Sequence, residues 1–176
     1  MGSKDAGRKL VLFRHAKSEW PDDMADHERP LAKRGRRDAP VVGRWLGASG
    51  YAPDAVVCST ALRARQTWEL AAEGLAFAAP DASPVVRYEK RVYEATVLGL
   101  LMLVREFEPA WRTAVIVGHN PGLAELTEGL ASPDSEPPLA FPTAAVAVLG
   151  LPGPWAEVAP GDADLLAFMV PAQLRR

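Results

Sequence analysis

The chain has 176 residues, 48% hydrophobic and 24% charged, with a formal net charge of −2 and a single cysteine. That size fits one globular domain, leaves little room for two, and lets about 70% of the unfolded surface be buried. The balance excludes a global electrostatic pull toward nucleic acid or anionic membrane, and the lone Cys58 excludes an intrachain disulfide, so a cytoplasmic setting is expected.

In chain order, residues 1–8 read as a disordered tail, with no apolar stretch long enough for a secretory leader, and 9–176 as one domain. Lys9–Phe13 is an uninterrupted apolar run, the pattern of a strand covered on both faces. Residues 16–31, with Pro21 and Pro30, are a loop. A helix is expected from Lys33 to Ser49, stopped by Gly50; Pro40 inside it marks either a later N-terminus or a kink. Ala55–Cys58 is a second strand, in which Cys58 reads as a small buried hydrophobe rather than a nucleophile. Ala61–Leu75 is a helix with Ser59 or Thr60 available as its cap, followed by a loop over 75–84. Val85–Tyr88 is a strand. Thr96–Phe107 is a helix, too short and too charged at its end to span a bilayer. Thr113–Gly118 is a strand, Gly122–Leu130 a short helix, and 131–142 a proline-rich loop. Ala144–Leu151 and Leu165–Val170 form a closing hairpin. Alternating strands and helices predict a three-layer α/β/α sandwich with a mostly parallel sheet of about six strands. Ligands bind at the carboxyl ends of such strands.

Arg14, His15, Ser59 and His119 all fall at those strand ends. Neutral imidazole is a competent nucleophile toward phosphorus when its other ring nitrogen keeps a proton on an acceptor. Arg14 beside His15 carries a planar fork of donors matched to phosphate oxygens. Taken alone, the pair reads rather as a turn-capping histidine with a surface arginine. Arg63, one turn into the helix after the second strand, can point back toward the strand ends, where a helix N-terminus also favours an anion; taken alone the segment reads equally as a solvated basic face. His119 in GHNPG would donate to a phosphoryl oxygen, or be a structural histidine. Arg29, Lys33 and Arg34 rim the loop after His15, and His27 is expected at the surface without a partner. There is no phosphate-binding GxxxxGK[ST] loop, no GxGxxG, no GxSxG, and no metal-ligand spacing. A reaction without metal or cofactor is the economical reading.

In combination, RHA at 14–16, RPLAKRG at 29–35, CSTALRARQT at 58–67 and GHNPG at 118–122 resemble the histidine phosphatase superfamily. RHAKSEW, the RPLxxRG run, GHNPGL and FPTAAVAVL at 141–149 are similar to its SixA-type phosphohistidine phosphatase branch. The likeness spans residues 9–171 and implies a phosphoglycerate mutase-like fold. It implies that His15 becomes phosphohistidine, that Arg14, Arg63 and His119 hold the phosphoryl group, and that Glu94 in VYEAT donates a proton to an alcohol leaving group. Lys17, Ser18, Arg34 and Asn120 are expected at the substrate. The implied partner is a phosphohistidine-bearing protein in signalling or phosphotransfer, with a phosphate-like oxyanion in the pocket. A phosphomonoesterase for small metabolites and a phosphoprotein-binding regulator without turnover are the alternatives.

Overall fold

A computed structural model describes residues 7–174. Residues 1–6 of the expected tail lie outside the described residues. Arg8 does not extend that tail: it opens β1 and is buried, with its guanidinium on the Pro109 carbonyl. The elements are β1 (Arg8–Arg14), α1 (Lys33–Ala48), β2 (Ala55–Cys58), α2 (Leu62–Ala78), β3 (Val85–Tyr88), α3 (Val97–Arg105), β4 (Thr113–Gly118), α4 (Gly122–Leu130), β5 (Val146–Leu151), β6 (Asp164–Met169) and α5 (Pro171–Leu174).

The sheet has six strands in the order β3-β2-β4-β1-β5-β6. β1 pairs in parallel with β4, β4 with β2, and β2 with β3; β5 runs antiparallel to both β1 and β6. The mostly parallel sheet and the closing hairpin are as the sequence predicts. The apolar strands bury both faces. Val11, Phe13, Val56, Val115 and Val148 pack under α1 and α2. Leu10, Leu12, Val57, Ile116 and Leu149 pack under α3 and α4 with Phe107, Trp111 and Trp155. Cys58 is fully buried as expected, and that burial raises its thiol pKa.

Both ends of α2 differ from expectation, for physical reasons. α2 runs on to Ala78, because Leu75 is wanted in the core and the alanines beyond it are strong helix formers. Its N-terminus has no side-chain cap; Ser59 Oγ instead accepts from Ala61 N–H, just ahead of the helix. Pro40 sits inside α1 rather than at its start. The hydrogen bond that Pro40 forfeits is offset by close packing on α2. A Cβ on Gly74 would stand 2.0 Å from the Pro40 carbonyl oxygen, and one on Gly43 1.8 Å from that of Ala71, so the two helices meet backbone against backbone. On α3 the buried face is Leu100, Leu101, Leu103 and Val104, which leaves Leu98 and Met102 exposed. No helix among the described residues is long and apolar enough to cross a membrane.

Candidate active site

The crossover from β1 to β2 skips β4, so β4 lies between them and three strand ends converge. Backbone bonds carry the parallel register past those ends. His15 N–H donates to Gly118 O at 3.0 Å, Ser59 N–H to Val117 O at 2.9 Å, and Glu89 N–H to Cys58 O at 2.7 Å. The His15 carbonyl accepts from Ala144 N–H at 3.1 Å, and Ala144 is held at φ 63°. A left-handed alanine costs about 1 kcal/mol or more and persists only where its surroundings fix it. The other non-glycine residues at positive φ, among those described, are Asp23 and Glu94. Both lie in the loops that follow β1 and β3.

His15 is buried, and its Nδ1 is 2.8 Å from the Ala16 carbonyl oxygen. That oxygen can only accept, so Nδ1 carries the proton and Nε2 keeps its lone pair. Burial lowers the His15 pKa to about 4, opposed by the Ala16 bond and assisted by Arg63, Arg14 and Arg29. The His119 ring lies 5.1 Å away. Burial, then His15 and Arg63, lower its pKa to about 3. Both imidazoles are therefore neutral at neutral pH. His119 Nε2 is 2.7 Å from Ser59 Oγ, which already accepts from Ala61 N–H. When the Ser59 hydroxyl donates to Nε2, neutral His119 carries its own proton on Nδ1.

Arg14 and Asn120 both donate to one acceptor, the Phe141 carbonyl, at 2.9 and 2.8 Å. Arg63 donates through Nη1 to the Asp26 carbonyl at 2.7 Å and through Nη2 to Asp26 Oδ2 at 3.0 Å. The Nε of Arg14, the Nε of Arg63 and Nδ1 of His119 are buried with no hydrogen-bond partner among the described residues. Each unpaired buried donor costs about 1–3 kcal/mol. Arg63 and Arg14, whose charges His15 feels, and the neighbouring His119 ring form a site whose chemistry suits an oxyanion.

The other expected residues are placed as follows. Ser18 is buried, and its Oγ accepts from Arg29 Nη1 at 2.9 Å. Lys17 is exposed. Arg34 is exposed on α1 with Nη2 3.4 Å from Thr143 Oγ1. Glu94 is exposed on a left-handed turn, one residue past Tyr93. His27 corrects the surface reading: it is half-buried, its Nε2 lies 2.8 Å from Thr60 Oγ1, and its ring meets Tyr93. The sequence reading missed Asp26, Tyr93, Thr67 and Phe141. Asp26 binds Arg63, Arg29 and Tyr93. Thr67 accepts from Ala16 N–H at 3.0 Å and donates to Arg63 O at 2.6 Å, joining α2 to the turn that orients His15. Thr67 closes the CSTALRARQT run, so its place beside Arg63 was the one available signal. No group of three or more His, Cys, Asp or Glu that could hold a metal ion occurs among the described residues.

Comparison with known proteins bears on the family and the fold. Residues 10–87 match the histidine phosphatase superfamily, branch 1. An uncharacterized protein of Mycobacterium tuberculosis is 43% identical over 166 residues, spanning 90% of this chain and 99% of its own length. A structure from Nakamurella multipartitia, assigned as a phosphohistidine phosphatase SixA, superposes with a TM-score of 0.81 at 32% identity, covering 96% of this chain and 99% of that one. The protein histidine phosphatase SixA complexed with tungstate shares the fold, with a TM-score of 0.74 at 22% identity over 94% of this chain and 99% of that one.

Proposed function

The chain belongs to the histidine phosphatase superfamily, of SixA type, and is a phosphatase; from that premise we propose that it acts through a phosphohistidine formed on His15. We propose as its substrate a phosphohistidine carried by a signalling or phosphotransfer protein. His15 Nε2 attacks phosphorus, the bond to the leaving group breaks, and the electron pair stays with that group. Water then attacks the phosphoenzyme, releasing inorganic phosphate and neutral His15. Arg14 Nε, Arg63 Nε and His119 Nδ1 donate to the phosphoryl oxygens and stabilise their charge in flight. Asn120 holds the shared Phe141 carbonyl beside Arg14, while Lys17 and Arg34 supply positive charge at the rim. Ser18 acts one step back, through Arg29.

The observation that carries this reading is the state of His15: buried, neutral, and bonded through Nδ1 to Ala16 O at 2.8 Å. A pure phosphate binder gains more from a charged imidazole than from a neutral one. A tungstate held by a protein of the same fold supports an oxyanion in the site. The phosphohistidine substrate is supported by the 32% identical neighbour. It is supported also by the short connection from β3 to α3, residues 89–96, which leaves little chain for a lid.

The test is steady-state hydrolysis of a phosphohistidine-bearing protein against an aryl phosphate, with wild type and His15→Ala side by side. We expect a preference for the phosphohistidine that disappears in the variant. A preference for the ester would favour the second reading, a phosphomonoesterase for small metabolites. One observation supports that alternative: Glu94 follows Tyr93, whose ring lies 5.6 Å from His119, and its charge is felt by the Tyr93 phenol. An alkoxide leaving group would call on Glu94 as proton donor.

A further inference from the structure

The loop after β1 and the turn after β3 bring a carboxylate and two aromatic rings beside Arg63. Asp26 Oδ1 accepts from Arg29 Nε at 3.0 Å, and Oδ2 accepts from Arg63 Nη2 at 3.0 Å and from the Tyr93 hydroxyl at 2.6 Å. An ionised carboxylate offers about four acceptor positions. Three are used, so one remains, on Oδ1, and the side chain is 49% exposed. The Tyr93 ring meets His27 edge-to-face at 4.8 Å and His119 at 5.6 Å. The Arg63 guanidinium stands 6.0 Å from its centroid. A spare anionic acceptor and an aromatic wall thus adjoin the arginine assigned to the phosphoryl group.

We infer that Asp26, Tyr93 and His27 form the leaving-group subsite, and that it receives a protonated imidazole ring, packed on Tyr93 with its distal N–H on Asp26 Oδ1. This rests on the phosphohistidine reading above and deepens it. When His15 Nε2 bonds to phosphorus, the P–N bond of the substrate breaks and its electron pair stays on the departing nitrogen. If the distal nitrogen holds a proton, the product is neutral imidazole; if not, it is imidazolate, a far poorer leaving group. A carboxylate on that proton favours the reactive form of the substrate and keeps the proton there through transfer. A phosphoester has no such proton, so the subsite selects against it.

Charge at the subsite fits this role. The Tyr93 hydroxyl, with Arg63 and Arg29, holds the Asp26 carboxyl well below the usual carboxylate range, so it is ionised wherever the enzyme is folded and working. The groups that face it are Arg29, Arg63 and Tyr93; His27 and His119 lie across the Tyr93 ring, and Glu94 follows it in the chain.

The experiment measures kcat/KM against pH for a chemically phosphorylated histidine peptide and for 4-nitrophenyl phosphate, with wild type, Asp26→Asn and Asp26→Glu. Asp26→Asn loosens Arg63 and lowers both rates. The expected loss on the peptide is at least tenfold greater, and the alkaline limb of the peptide profile, set by loss of the distal proton, moves to lower pH. Asp26→Glu keeps the carboxylate and returns the limb toward its wild-type position. Equal losses on both substrates with an unmoved limb would make Asp26 a support for Arg63 alone and overturn the subsite. A wild type that hydrolyses 4-nitrophenyl phosphate but not the peptide overturns the phosphohistidine reading itself, a pattern distinct from the first.

Discussion

The floor of the site and its rim are built in different ways. The floor is set by the ends of β1, β2 and β4, whose backbone bonds run straight on into His15 and Ser59. The rim is the loop after β1 and the turn after β3, tied by side chains distant in sequence, such as Asp26 to Arg63 and Tyr93. A side chain placed by strand register has almost no freedom to move, whereas one placed by a loop holds its position only while its partners do. In the scheme proposed above, the floor carries the phosphoryl chemistry common to all substrates and the rim carries the choice among them.

Substitutions should separate the two regions. The largest effect belongs to His15→Ala: turnover of every substrate is expected to fall by at least about 10³-fold, with no acid-labile, base-stable phosphoenzyme trapped and the circular-dichroism melt preserved. Normal turnover in that variant would sink the covalent route. Next is Arg63→Ala, expected to cost about 10²–10³ in kcat/KM on phosphohistidine and ester alike. A loss confined to one substrate would move Arg63 from floor to rim.

The buried histidines predict a pH effect of intermediate size. The native His15 pKa, about 4, lies below the ordinary imidazole value of 6.5, so the unfolded chain binds the proton first as pH falls. Its contribution is fully present above pH 6.5 and is lost as pH falls toward 4, roughly 3 kcal/mol in all. Carbon-detected NMR should show the His15 and His119 rings unchanged from pH 8 to 5. Titration of either ring near 6.5 would contradict the buried neutral pair.

Smaller still is Thr67→Val, which leaves Ala16 N–H without its acceptor. It is expected to destabilise by about 1–3 kcal/mol and to slow all substrates roughly tenfold by releasing the turn that orients His15. The smallest is Glu94→Gln: alkyl phosphate hydrolysis is expected to slow several-fold, phosphohistidine hydrolysis by less than about twofold. Equal slowing of both would remove Glu94 from the proton-donor role.

The same division governs what could be read from the sequence. Parallel strands buried on both faces announce themselves as apolar runs, and the polar residue after each run is placed by the strand before it. Arg14, His15 and His119 were legible for that reason. Asp26 and Tyr93 sit in irregular segments whose partners are 37 and 67 residues from Asp26 along the chain, and no periodicity encodes such pairs. His27 looked solitary because Thr60 and Tyr93 come to it only in the folded chain. Phe141 was illegible for another reason: it acts through its backbone carbonyl, which every residue has.

The backbone contact between α1 and α2 makes the site sensitive to changes made far from it. Gly74 lies on the same helix as Arg63, eleven residues or about three turns along, and α1 starts where Gly35 abuts the Lys17 carbonyl, two residues from His15. The two helices therefore act like crossed beams welded at Gly43 and Gly74, with one end of each bearing on the phosphoryl pocket. A single methyl group at the weld has no soft side chain to absorb it. The misalignment would travel along α2 to the Arg63 guanidinium, and a crystallographer would find the damage in the aim of a phosphate ligand rather than at the residue that was changed.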